Sequence, residues 1–194
     1  MNQIFQAFSE GMAHIFCLDA VDHILFLLVL CGSYNYSMLK RIFWLVTAFT
    51  IGHAFTFIIS ALGYAPSVRE WAEIMIPFTI LITAIVNWFK PERQKGLIER
   101  GKTLIYLLTI TCGSIHGLAI GSMIRIKLDA GENFISQLIG FNLGVEVAQI
   151  AVVLLILAIQ ISLRVLLGIK LSHWKIGVSG IGFGAALLIL LDTL

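Results

Sequence analysis

The sequence predicts an all-α integral membrane protein: a single transmembrane domain over residues 1–194, built as a bundle of about six transmembrane helices with an interrupted first helix. Three observations predict it. The chain is 59% hydrophobic and only 12% charged, whereas soluble domains run at roughly 45–50% apolar and about 25% charged. Its mean hydropathy is +0.96. Its apolar residues gather into six stretches of about the length a helix needs to cross a bilayer, roughly 20 residues, with short polar connections between them.

The six spans fall at roughly 11–33, 41–63, 70–89, 103–124, 134–167 and 174–193. The first is the least regular. Ile4, Phe5, Phe8, Met12 and Ile15 have helical spacing, but Asp19-Ala20-Val21-Asp22 reads as a restart. Asp19 suits the cap of a new helix and Asp22 its third position. The chain is therefore expected to enter as a short slanted helix, break near Cys17–Asp19, and continue as the span proper. Its N-terminus carries no Lys or Arg before the apolar part, unlike a cleaved signal peptide. The third span ends at Lys90-Pro91-Glu92-Arg93-Gln94-Lys95, since Pro91 and the charges stop a helix. The fifth is too long for one straight crossing and is expected to tilt or project. The sixth carries Gly177, Gly180, Gly182 and Gly184, which suggests close backbone packing. No linker marks a second domain.

Cys17, Cys31 and Cys112 all lie in apolar surroundings and form no CxxC, so they read as small core residues rather than a disulfide framework or thiolate site. No basic run with interleaved aromatics suggests nucleic acid. Orientation follows from Lys and Arg, which concentrate on the cytoplasmic side. The connections after spans one, three and five carry ten of them, and those after spans two and four carry three. The first set is therefore placed inside, in the inner (plasma) membrane of the cell, with both termini extracytoplasmic.

Against this apolar background stand five polar groups: His14 with Asp19, Asp22 and His23; His53; Glu73; His116; and Asn142, Glu146 and Gln149. An ionisable group at mid-bilayer costs roughly 2.5–3.5 kcal/mol on insertion scales, and is a functional candidate for that reason. Odd and even spans run in opposite directions. At about 1.5 Å rise per residue, all five groups then fall between the membrane middle and its outer face. The inner halves carry almost no ionisable residue. A shared outer-leaflet site is expected. Imidazole with carboxylate suits nickel, cobalt and zinc. His14, Asp22, His23, His53, His116 and Glu146 are the candidate metal ligands; Asp19, Glu73, Asn142 and Gln149 are candidates for orienting them. Glu73, at a predicted membrane edge, reads equally as a solvated side chain. Glu10, Asp129, Glu132 and Asp192 read as solvated ends, and His173, in a basic loop, as interfacial. Ser114 and His116 are two apart and face differently on a helix, and GxSxG, GxGxxG and HExxH are absent.

These residues fall in five ordered blocks: Gly11-Met-Ala-His14-Ile15 followed by Asp22-His23-Ile-Leu-Phe26-Leu; Thr47-Ala-Phe-Thr50-Ile-Gly-His53-Ala-Phe-Thr56; Glu73 opening the third span; His116-Gly117-Leu-Ala; and Phe141-Asn142-Leu-Gly144-Val-Glu146-Val-Ala-Gln149. In them the chain resembles the HupE/UreJ family of hydrogenase and urease accessory membrane proteins. It departs from the family pattern at Asp19-Ala20, where Gly is usual, and at Ala54, where Ser is common. The resemblance implies a bundle of about six spans and a role in uptake of nickel or cobalt. It also implies that His14, Asp22, His23, His53, His116 and Glu146 interact with the metal.

Two readings of function follow. In one the protein is a permease: a divalent transition metal (nickel or cobalt) exchanges water for imidazole and carboxylate at the intramembrane site and leaves to the cytoplasm. In the other it is a membrane-embedded zinc-dependent hydrolase, with Glu146 or Asp22 as general base and a lipid or membrane-anchored peptide as substrate. The partners expected are the metal ion and the lipid bilayer, with a homo-oligomer left open and nucleic acid excluded.

Overall fold

A computed structural model describes residues 3–17, 20–65, 69–89, 102–124 and 134–193. Among them are seven α-helices: α1 Gln3–Phe16, α2 Val21–Gly32, α3 Leu39–Ala61, α4 Arg69–Phe89, α5 Lys102–Ile124, α6 Phe134–Leu167 and α7 Leu171–Thr193. A 3-10 turn, Tyr36–Met38, leads into α3. Four helical segments are long and apolar enough to cross a membrane: Tyr36–Ala61, Glu70–Phe89, Phe134–Leu167 and Leu171–Thr193. The bent pair α1–α2 makes a fifth crossing if counted as one span. In α5 the apolar stretch, Ile105–Gly121, is shorter.

The predicted interruption is present: α1 stops at Phe16, α2 starts at Val21, and the two are inclined by 70°. Its local chemistry differs from the expectation. The residue preceding α2 is Ala20 and no side chain caps the helix; Asp22 instead turns its carboxylate to His23. Asp19 lies outside the described residues, as do the 90–95 connection, Asp129 and Glu132. Cys31 and Cys112 are buried as expected, but Cys17, at the break, is exposed.

Two helix pairs set the architecture. Along α5, Gly113, Gly117 and Gly121 lie against the backbone of Phe49, His53 and Phe57 on α3. Both series advance by four residues, so the two helices run parallel at close approach, the small-residue packing that helices use in lipid. On α6, Gly140 and Gly144 lie against the backbone carbonyls of Ile4 and Phe8 on α1, so these also run parallel. First with fifth, and second with fourth, is the direction that six alternating crossings require. α7 packs antiparallel on α2, with Gly32 against Val178 and Gly182 against Val29. The expectation for the last span holds at Gly182 and is corrected at the other three: a Cβ at Gly177, Gly180 or Gly184 would meet nothing within 4 Å. Close backbone approach is made instead by glycines such as Gly113 and Gly117 on α5 and Gly140 and Gly144 on α6.

The outward face is apolar, as lipid requires: Ile135, Ile139, Leu143, Val147 and Leu154 on α6 are all exposed. The ends are pinned by polar contacts. Asn87, 1% exposed, donates to the Val29 carbonyl at 2.6 Å and accepts from the Ser33 hydroxyl at 2.6 Å. Gln160 donates to the Tyr34 carbonyl, and Arg164 to the Asn35 side chain. Lys175 of α7 is also buried.

Candidate metal centre

The 70° bend brings the last turn of α1 and the first turn of α2 to one point, and the parallel α3 and α5 supply the opposite wall. His14 and His23 rings lie 4.9 Å apart between centroids, His23 and His53 5.9 Å, and His23 and His116 4.6 Å. Two three-residue sets could hold an ion: His14, His23 and His53; and Asp22, His23 and His116. Within each set the ligand atoms lie within 4.8 Å of one another. Bonds near 2.1 Å put opposite ligands about 4.2 Å apart, so side-chain rotation suffices to close either set round an ion. His23 belongs to both.

The hydrogen bonds fix which nitrogens are available. His116 Nδ1 lies 2.8 Å from the Cys112 carbonyl. A carbonyl only accepts, so Nδ1 carries the proton and Nε2 keeps its lone pair. That Nε2 is 3.7 Å from Asp22 Oδ2. His23 Nδ1 lies 3.0 Å from Asp22 Oδ1, which also accepts the His23 backbone N–H at 2.8 Å. This leaves His23 Nε2 free. The Nε2 atoms of His14, His23, His53 and His116, and Nδ1 of His53, are all buried without a hydrogen-bond partner. Leaving one buried polar group unpaired costs about 1–3 kcal/mol. Each set offers one ligand atom per residue to a shared space: three imidazoles in one, and two imidazoles with the Asp22 carboxylate in the other.

The wall is aromatic: Phe26 and Phe49 stand against His116, and Phe49 and Phe57 flank His53. Phe141 lies 6.0 Å from His14 and 5.0 Å from Phe57. These rings exclude bulk water and hold the imidazoles in place. Gly117, next to His116, sits where a Cβ would strike the His53 carbonyl, so its lack of a side chain sets the spacing of the two histidine-bearing helices.

Of the sequence candidates, five converge here: His14, Asp22, His23, His53 and His116. Neither set includes Glu146, whose Oε1 accepts the Thr47 hydroxyl at 3.0 Å. Gln149 is fully buried against Thr50. Asn142 donates to the Leu138 carbonyl. Glu73 is exposed on α4 and His173 on α7, outside both sets. Ser114 donates to the Ile110 carbonyl rather than to a histidine. Sequence reading passed over Thr47 and Thr50 as site residues. Their signal was available: 47, 50 and 53 form an i, i+3 stripe on α3.

A family model described as HupE / UreJ protein matches residues 1–191 of the chain. The comparisons with curated proteins and with solved structures gave no significant match.

Proposed function

We propose, on the premise that this chain belongs to the HupE/UreJ family, that it is a membrane permease for a divalent transition metal, with nickel or cobalt as cargo. The family is associated with an accessory function in nickel and cobalt transport. The observation that carries the reading is the convergence of partnerless buried imidazole nitrogens with Asp22 from four helices. Imidazole and carboxylate together suit these borderline ions. The ion enters from the extracytoplasmic side, trades water for the Asp22, His23 and His116 set or the His14, His23 and His53 set, and leaves toward the face that carries most of the Lys and Arg. Both termini then lie outside the inner membrane.

His23 is the shared ligand, so an ion passes from one set to the other without losing all its protein ligands. The hydrolase reading gains nothing specific. Its general base would be Glu146, which accepts from Thr47, or Asp22, which contacts His23, and neither contact singles out hydrolysis. The family also lends zinc no support.

The test is flux. Protein reconstituted in liposomes is expected to take up nickel or cobalt, and His23→Ala is expected to abolish uptake while the protein still inserts. Wild-type vesicles that move neither ion would overturn the permease reading.

A further inference from the structure

We infer that the end of α3 carrying Arg41 holds an anionic phospholipid, with the phosphate on the Arg41 guanidinium and one acyl chain in the groove beside it. Charge is the first argument. Arg41 is the third residue of α3 and lies at one end of the crossing segment Tyr36–Ala61. Its guanidinium stands over the Tyr34 ring, 5.7 Å from the centroid. Its Nε and Nη2 are buried and have no hydrogen-bond partner. These two nitrogens make one edge of the guanidinium, with N–H bonds that point the same way. That edge is the fork that takes two oxygens of a phosphate or a carboxylate. A guanidinium keeps its charge in a protein, so a bare buried edge is costly. Asn35, next to Tyr34, accepts from Arg164 at 3.2 Å. Two arginines thus flank one short connector, and among the described residues no carboxylate pairs with either.

The groove is the second argument. Trp44, Thr47, Ala48 and Ile51 of α3, with Tyr106 of α5, line a cavity of about 330 Å³ whose walls are chiefly apolar. It opens outward, where Trp44 is 52% and Ile51 60% exposed. Trp44 is three residues past Arg41 and so is its neighbour on the helix surface. From Trp44 to Ile51 the groove follows α3 for about 10 Å toward the middle of the span.

The two features fit one molecule. A phospholipid places its phosphate at the membrane surface and its chain toward the bilayer centre, and here the cation stands at the helix end while the groove runs inward. A free anion would use the arginine and leave the groove empty. On the orientation set by Lys and Arg, this is the cytoplasmic leaflet, where anionic lipids gather and basic pockets between helices bind their head groups. The site is independent of the metal cargo.

Phosphatidylglycerol with brominated acyl chains is the probe, because bromine quenches tryptophan on contact. In phosphatidylcholine vesicles carrying the protein, it should quench a saturable component that is absent in Trp44→Phe. Brominated phosphatidylcholine should quench only in proportion to its share of the lipid. Arg41→Gln should raise the phosphatidylglycerol fraction needed for half-quenching at least about tenfold, the worth of a hydrogen bond to a charged group. Ala48→Leu, which fills the groove floor and leaves Arg41 in place, should weaken the same component and decides the matter if Arg41→Gln does not insert. Excess inorganic phosphate should not displace the lipid. Quenching by phosphatidylglycerol merely in proportion to its share overturns the site. So does selectivity that survives in either inserted variant. Displacement by inorganic phosphate makes the ligand a free anion and overturns the lipid.

Discussion

Replacing His23 by Leu tests the metal centre most directly, because His23 is the member common to both ligand sets. In the metal-free protein the change costs little. It removes a buried ring nitrogen that has no partner, relieving a penalty of about 1–3 kcal/mol. It also deprives Asp22 of its 3.0 Å contact and disturbs packing on Phe49, together of similar size. Metal-free stability should therefore stay within about 1 kcal/mol of wild type. With metal the two proteins part. At a nickel concentration of about 100 Kd the wild type gains about 2.7 kcal/mol by linkage. Losing one imidazole weakens binding by roughly 100-fold, taking the upper figure for perturbing a ligand's surroundings as a floor. The variant then gains only about 0.4 kcal/mol at the same concentration. For a chain of this size 1 kcal/mol moves Tm by roughly 2–4 °C. A nickel-induced rise of roughly 5–10 °C in detergent should fall to about 1 °C in His23→Leu. His173→Leu, exposed and outside both sets, should keep the full rise. Equal nickel shifts in wild type and His23→Leu would mean that the convergence of histidines is not a metal centre.

Asp22→Ala and His116→Ala should each abolish metal uptake by liposomes while membrane insertion, checked by protease protection, is unchanged. Gly117→Ala drives a methyl into the His53 carbonyl and should cost about 1–3 kcal/mol or more, whereas Gly180→Ala, which meets open space, should be neutral in the same thermal assay. Binding replaces protons on the ligands, so metal affinity should fall as pH falls. Isothermal titration over an acid series should show this loss once the pH is low enough to protonate the buried imidazoles. Glu73→Gln, exposed and outside both sets, should transport at the wild-type rate.

Span positions were legible from hydropathy because lipid permits few alternatives. Backbone groups must be paired within helices, and those helices must be about bilayer length. The fifth span, 134–167, matches α6 at both ends. The break near Cys17 was legible for a different reason: Asp19 and Asp22 interrupt an apolar run that would otherwise continue. The ligand types were legible too, since four histidines in apolar segments are costly unless used. Glycine roles were not. Gly177, Gly180 and Gly184 look the same in sequence as Gly113, Gly117 and Gly121, and only the neighbouring backbone tells a packing glycine from one facing lipid. Whether Glu146 reaches the histidines was not legible either, because linear spacing ranks a residue within its own helix, not across to another.

By itself the sequence determined that this chain lives in a bilayer, roughly where it crosses, and that imidazole and carboxylate groups stand within its apolar segments. Those follow from the price of polar groups in hydrocarbon, a property of each residue alone. The tertiary structure decided which of them meet. The 70° turn at α1–α2 and the glycine-tight pairing of α3 with α5 put His14, Asp22, His23, His53 and His116 around one space and left Glu146 outside both ligand sets. Helix register and crossing are set by contacts between segments distant in the chain, and no single segment encodes them.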